Sequence, residues 1–330
     1  MYEAFFQLKE KPFNLTPDPR FIYFTERHCE ALANLVYGIR ERKGFLVLSG
    51  EVGTGKTTLV NALLDTLDRT GVLSAFIFNP ILTSSEFFEY LLADLNLKAD
   101  VRSKSQCLIK LNALLLERYR AGQVTVLIVD EAQNLSAEIL EEIRLLTNLE
   151  TATEKLLQIV LVGQPELSLK LNSPELRQLK QRVSLRCHLE PLTLSETKEY
   201  IKTRLEIAGL PSQQVFSDPC ITEIHRRTGG IPRLINTLCD NSMITAYACD
   251  TLTVSQEIIE EVAEDLEIFA DHRDPSGFTR GTRFSGMPRN GRNEDKRASS
   301  DLVGASDDDK ESKSFDLFVQ FVDKLRERNH

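Results

Sequence analysis

Hydrophobic positions along the chain follow two rhythms, with one change between them. Up to about residue 190, short apolar runs alternate with longer amphipathic stretches. FLVLS (45–49), LSAFIF (73–78), VTVLIV (124–129), LLQIVLV (156–162) and SLRCHL (184–189) read as strands. The second to fourth are continuous apolar runs, the pattern of strands covered on both faces. Between them, helical spacing predicts helices over 56–69, 84–96, 105–120 and 136–148. Strands alternating with helices predict an α/β domain built on a parallel, doubly covered sheet.

From about residue 194 the strand signal disappears. TLSETKEYIKTRLEIAGL places Leu194, Tyr200, Ile201, Leu205 and Ile207 on helical spacing, with Ser195 as the expected cap and Gly209 as the stop. Further helices follow at about 218–228, 232–248 and 255–269, so a small all-helical domain is appended. Within it, HRRTGGIPRLINTLCD makes a turn at Gly229 and Gly230 and starts a helix at Pro232, whose missing N–H has no helical partner to lose. Arg233 is the anomaly. A cation in the first turn faces the positive end of the helix dipole and is disfavoured unless an anion is brought to it.

After Phe269 the chain becomes polar, and 270–313 reads as a disordered linker. SFDLFVQFVDKLRER within 314–330 regains a helical stripe through Phe318, Phe321, Val322 and Leu325, as a docking peptide or as an edge of the folded body. Arg280, Arg283, Arg289, Arg292, Lys296 and Arg297 precede an acidic DDDKE block, which is either a solvated linker or a nucleic-acid or acidic-lipid contact. The expected division is an N-terminal strap and helix (1–43), the α/β domain (44–192), the helical domain (193–269), the linker and the terminal helix.

Composition narrows the class. With 42% hydrophobic and 27% charged residues among 330, the chain is an ordinary globular one. A net charge of −9 argues against coating nucleic acid through bulk charge. Six scattered cysteines, with no Cys-x-x-Cys, predict reduced thiols rather than a zinc or disulfide framework. No apolar run approaches the roughly 18 residues of a membrane span, and the opening MYEAFFQLKEKPFN lacks signal-peptide order, so a cytoplasmic protein is expected.

The chemistry sits at strand ends. SGEVGTGKTTL contains G-x-x-x-x-G-K-T between a predicted strand and a predicted helix, the context a phosphate loop requires. Gly50, Glu51, Val52, Gly53, Thr54 and Gly55 supply backbone amides, the glycines letting the chain curl so that N–H groups face phosphate oxygens. Lys56 is expected to reach the β- and γ-phosphates, Thr57 to ligate Mg²⁺, and Thr58 to meet the α-phosphate. VTVLIVDEAQ ends a buried strand in Asp130 and Glu131. Asp130 suits the metal; strand alternation would turn Glu131 to the opposite face, where it can orient and deprotonate a water. LLQIVLVGQPEL ends another strand near Gln164, which is either a hydrogen-bonding partner for that water or γ-phosphate, or only a cap.

In this order the motifs resemble the AAA+ ATPase superfamily, and more narrowly its general-secretion-pathway-A (ExeA) group. The matching stretches are AFFQLKEKPFNLTPDPRF, GEVGTGKTT, DEAQNL, LVGQPEL, LKQRV and GGIPRLIN, spanning about residues 1–268. The resemblance implies a P-loop AAA+ core with strand order 5-1-4-3-2 and a C-terminal helical lid. It implies ATP, with Mg²⁺, and no N-K-x-D guanine motif occurs. By position it makes Glu131 the catalytic glutamate, Gln164 sensor 1, Arg233 the lid's sensor 2, and Arg182 the arginine finger for a neighbour's site. Arg177 and Arg186 are close enough to compete for that last role. Pro12, Pro17 and Pro19, with Phe13 and Phe21, resemble the family's adenine-side cover; structural packing is the alternative use of those phenylalanines.

Secretion members continue into a membrane span and a periplasmic peptidoglycan-binding domain. Neither pattern is read in this tail, so a direct cell-wall role is not expected. The resemblance instead implies a homo-oligomer, a ring, acting on a protein of a secretion or polysaccharide-export system. The alternative is an ATP-gated DNA-binding adaptor like the transposition accessory ATPases of the TniB and MuB types.

Overall fold

The computed structural model describes residues 2–14, 19–21, 23–78, 81–97, 103–210 and 215–268. The predicted linker 270–313, its basic cluster, the stretch 314–330 and Pro17 lie outside the described residues. In chain order the first elements are α1 (Tyr2–Phe5), α2 (Glu26–Arg40), β1 (Phe45–Gly50), α3 (Lys56–Arg69) and β2 (Leu73–Ile77). Then come α4 (Ser84–Asp94), α5 (Lys104–Arg120), β3 (Thr125–Val129), α6 (Ala137–Leu146) and β4 (Leu157–Gly163). Two short helices, α7 (Pro165–Leu171) and α8 (Arg177–Lys180), lead to β5 (Val183–Leu189). The helical lid comprises α9 (Leu194–Ile207), α10 (Asp218–Thr228), α11 (Pro232–Ala248) and α12 (Gln256–Asp265).

The five strands form one sheet, ordered β2-β3-β4-β1-β5, with every neighbouring pair parallel. This is the expected 5-1-4-3-2 order, numbered from the other edge. Strands β1, β3 and β4 are buried at every position, as the apolar runs of β3 and β4 predict. Strand β2, expected to be covered on both faces as well, is an edge strand and is buried only at Ala75 and Ile77. Edge strand β5 alternates exposed and less exposed residues over much of its length.

The pleat of β1 divides the core. Phe45 and Val47 join Leu127, Ile159, Phe87, Leu111 and Ile143 under α4, α5 and α6. Leu46 and Leu48 join Val126, Val160, Leu32, Leu35 and Leu63 under α2 and α3. Each fully buried side chain of this kind contributes about 1.5–3 kcal/mol relative to exposure. Parallel strands with helices on both faces bring all strand C-termini to one edge, and the residues following β1, β3 and β4 meet there.

A third core belongs to the lid. Tyr200, Ile201, Leu205, Ile224, Ile235, Leu238, Met243 and Ile259 pack together, and Tyr2, Phe6, Phe13 and Phe21 from the start of the chain join them. Phe13 meets Phe216 edge-on at 6.1 Å. The buried Arg204 guanidinium pins this segment, donating to the carbonyls of Pro12 (2.6 Å) and Asn14 (3.3 Å) and to the Tyr200 hydroxyl (2.9 Å). It also lies 5.0 Å from the centre of the Phe21 ring. The N-terminal segment thus packs with the lid, whereas α2, which follows it directly, packs on the sheet.

Helix ends differ from the sequence expectation where local bonds decide them. Thr193, not Ser195, caps α9: its hydroxyl accepts from the Glu196 N–H while the Glu196 carboxylate accepts from the Thr193 N–H. That reciprocal pair satisfies two orphan donors, more than a lone serine two residues later can offer. Helices α4 and α12 stop short of 96 and 269 because Asn96 and Glu267 adopt left-handed conformations (φ 57° and 52°).

Gly230 joins sheet and lid. Its carbonyl accepts from the Leu192 N–H at 2.9 Å, its φ is +76°, and an added Cβ would fall 2.0 Å from the Leu192 carbonyl oxygen. Gly230→Ala is therefore expected to destabilise the protein by at least about 2 kcal/mol, read as a fall in denaturation midpoint, because strained backbone and a backbone clash coincide.

Candidate active site

The loop between β1 and α3 runs from Gly50 to Gly55, with Gly53 and Gly55 at φ +80° and +98°. Most of its carbonyls have partners. The Lys56 ammonium donates to Gly50 O and Glu51 O, both at 2.9 Å, and the buried Thr54 hydroxyl donates to Glu51 O at 2.8 Å. The Arg233 N–H donates to Gly53 O at 3.3 Å, and the His28 ring lies 3.1 Å from Thr54 O through Nε2. Glu51 and Val52, at the tip, are exposed.

Lys56 opens α3 with only 6% of its surface accessible. Burial pushes its ammonium pKa down, and Glu131, Asp130, Glu51 and Glu166 oppose that shift. Thr57 and Thr58 follow in the first turn, and the Thr57 hydroxyl donates to Asp130 Oδ2 at 3.4 Å. Asp130 leaves β3 anchored by its own N–H to the Ile77 carbonyl (2.9 Å), while its Oδ1 accepts from the Glu131 N–H (2.8 Å). Burial holds the Asp130 carboxyl above the ordinary range; the hydrogen bond from the Glu131 amide and the nearby Lys56 work against it.

Glu131 reaches its place by a turn rather than by pleat alternation. The strand ends at Val129, and Glu131 is left-handed (φ 50°), which swings its carboxylate toward β4. There Oε2 accepts from Gln133 Nε2 (2.5 Å) and from Gln164 Nε2 (3.2 Å). The Gln133 Oε1 in turn accepts from the Gln164 N–H at 3.1 Å. Gln133 thus ties the two strand ends together, a role that sequence spacing does not announce. His28, on α2 and distant in sequence, is the other contact that the motifs did not single out.

Arg233 stands where α11 begins, against the loop. A Cβ on Gly53 would come within 2.7 Å of the Arg233 Cβ, so close packing as well as φ calls for glycine there. The Arg233 guanidinium is exposed and has no bonded partner among the described residues. Arg182 lies elsewhere. It precedes β5, level with the start of β1, so it sits roughly 16 Å along the strand direction from the loop of its own chain. Its guanidinium donates to the Arg144 carbonyl at 3.2 Å and to the Thr147 hydroxyl at the end of α6. Arg177 and Arg186 are exposed on α8 and β5.

The donor set suits Mg²⁺. A hydroxyl and a single buried carboxylate, 3.4 Å apart, are hard oxygen ligands that leave the remaining positions to water and phosphate. Among the described residues no cluster of three or more His, Cys, Asp or Glu is placed to hold a metal without such help.

A sheet of this order, with a glycine loop after β1 and a helical body after β5, defines an AAA+ protein. Residues 39–171 match the AAA domain family model, and the chain belongs to the AAA+ ATPases. Within them it is similar to general secretion pathway protein A of Aeromonas hydrophila, with 46% identity over 249 residues. That match covers 75% of this chain but 45% of the relative, so the chain spans less than half of the relative's length. In solved structures the fold recurs in Drosophila ORC bound to DNA (20% identity, TM-score 0.61, 79% of this chain and 66% of that one). It recurs also in Cdc6p of Pyrobaculum aerophilum (19% identity, TM-score 0.58, 77% and 72%). Among the described residues no helix is long and apolar enough to cross a membrane.

The raised Asp130 carboxyl carries a stability consequence. A carboxyl whose folded-state pKa exceeds its unfolded value binds more protons when folded, so its contribution weakens as pH rises from the unfolded pKa through the folded one. At neutral pH the buried charge is a net burden when no cation is bound. Asp130→Asn is expected to raise the nucleotide-free denaturation midpoint at pH 7 by about 2–4 °C, a gain that disappears near pH 4.

Proposed function

We propose that the chain is a Mg-ATP-hydrolysing AAA+ ATPase that works in the cytoplasm as a motor or switch on a protein partner of a secretion or polysaccharide-export system. The observation that carries this is the gathering of Lys56, Thr57, Asp130, Glu131 and Gln164 at one sheet edge, with Arg233 brought against the same loop by the lid. Six unpaired cysteines, five of them buried, suit a reducing compartment. The export assignment rests on the likeness to general secretion pathway protein A over the shared stretch.

In this mechanism the loop amides from Gly50 to Gly55 and the first-turn amides at Lys56, Thr57 and Thr58 bind the ATP phosphates. Lys56 exchanges the carbonyls of Gly50 and Glu51 for β- and γ-phosphate oxygens. Thr57 and Asp130 hold Mg²⁺, which when bound neutralises charge on the β- and γ-phosphates. Glu131, with Oε2 fixed by two amides, offers Oε1 to a water and takes its proton as the water attacks the γ-phosphorus. The bond from that phosphorus to the ADP oxygen breaks, giving ADP and phosphate. Gln164 orients the water and γ-phosphate, and Arg233 meets the γ-phosphate, which removes its conflict with the α11 dipole. Arg182, far from the loop of its own chain, serves the neighbouring subunit's site in a homo-oligomeric ring.

Glu131→Gln is expected to bind ATP as tightly as the parent while turnover falls by about 10²–10⁴-fold. Undiminished phosphate release from that variant overturns the assignment. For the shared site, mixing inactive Arg182→Ala with inactive Lys56→Ala subunits should restore part of the turnover, since mixed interfaces pair an intact loop with an intact arginine. No recovery in any ratio, with assembly intact, removes Arg182 from the role.

A further inference from the structure

Helix α2 starts outside the phosphate-loop motif, yet it sends one buried side chain into it. His28 is 5% exposed, and its Nε2 lies 3.1 Å from the Thr54 carbonyl oxygen. A carbonyl can only accept, so Nε2 carries the hydrogen, and Nδ1 is left as an acceptor. Nδ1 has its donor: the Thr25 hydroxyl, 2.8 Å away. The same hydroxyl oxygen accepts from the His28 N–H at 3.3 Å as the N-cap of α2, so the cap also sets the ring's tautomer and rotation. Phe24 packs against the ring at 6.0 Å, and burial pushes the His28 pKa down, which keeps the ring neutral.

The geometry of the peptide unit carries the argument further. Across a trans peptide the C=O and the next N–H point in opposite directions. Holding the Thr54 carbonyl on the α2 side therefore turns the Gly55 N–H to the side where the phosphates bind. Gly55 is left-handed (φ +98°) and has no side chain to fix its orientation, and a Cβ there would lie 3.3 Å from His28 Nε2. Without the ring, the 54–55 peptide is free to rotate and the cradle loses a fixed donor.

We propose that His28 is a positioning residue of the phosphate loop: through Thr54 it fixes the 54–55 peptide plane and presents the Gly55 N–H to the nucleotide's phosphates. The proposal rests on the loop being an ATP site, and Lys56→Ala serves as the reference that separates the two ideas. The measurements are ATP and ADP affinity, steady-state turnover and denaturation midpoint on the full chain, for His28→Ala, His28→Gln and Thr25→Val.

In His28→Ala the dissociation constants for both nucleotides should rise by about 5–50-fold, with turnover at saturating ATP within about twofold of the parent. Gln places an amide N–H near the Nε2 position and should bring affinity back to within about threefold. Thr25→Val should give an intermediate loss, since it frees the ring without removing it. A purely structural role would lower the midpoint and leave the affinity of the folded fraction unchanged.

Parent-like affinity in folded His28→Ala overturns the proposal, as does a fall in turnover with affinity unchanged. If His28→Ala does not fold, Thr25→Val decides: weakened affinity with parent-like turnover supports it, and parent-like affinity overturns it. If the parent and Lys56→Ala bind ATP equally, the ATP-site reading fails instead.

Discussion

A loop that turns its amides toward an anion must find partners for the carbonyls of the same peptides on its outer side. The rest of this structure depends on that constraint being met between Gly50 and Gly55. Lys56 and the Thr54 hydroxyl hold two carbonyls from within the motif. Two more are held from outside it: Gly53 by the first turn of the lid helix α11, and Thr54 by α2. Sheet, lid and flanking helix are therefore joined at the backbone of one six-residue turn. A change in any of them reaches the amides of that turn without crossing a long path.

The same site concentrates unfavourable electrostatics. Burial works against the charge on Lys56 and on Asp130, although each lies near groups of opposite sign. Arg233 occupies the wrong end of a helix dipole and keeps its guanidinium in solvent. Other buried charges are better matched: Glu223 is held down to about 2 by hydrogen bonds from Arg226 and Arg227, and Arg204 has carbonyl partners. At this edge the proposed ligand would supply the complementary charges; Arg40, whose charge burial also opposes, has no such prospect. A few kcal/mol of such frustration is a usual cost of a preorganised site.

Most of the sheet was legible because central parallel strands must be apolar on both faces, and β1, β3 and β4 leave no room for another pattern. The phosphate loop was legible because glycine spacing and a following lysine answer a backbone requirement that few other sequences meet. Gln133 and His28 were not. Their roles come from the left-handed turn at Glu131 and from the packing of α2 on the sheet, both of which bring distant residues together without a periodic trace. The Thr193 cap was visible as T-x-x-E but was hidden behind a serine two positions later. The segregation of Tyr2, Phe6, Phe13 and Phe21 into the lid core was hidden too, because Phe13 and Phe21 look like core residues wherever the core is.

That segregation has a mechanical consequence. Among the described residues the chain passes between the two bodies twice: Tyr23 packs on the lid core and Phe24 belongs to the sheet core, while Leu189 belongs to the sheet core and Leu192 to the lid core. Each crossing takes at most three residues. A body tethered at one point can swing in any direction, but one tethered at two short points turns about the line through them, as a door does on two hinges. A rotation of the lid about that line would be the motion the two crossings oppose least, and the distance of Arg233 from it would set how far a given turn carries it from the loop.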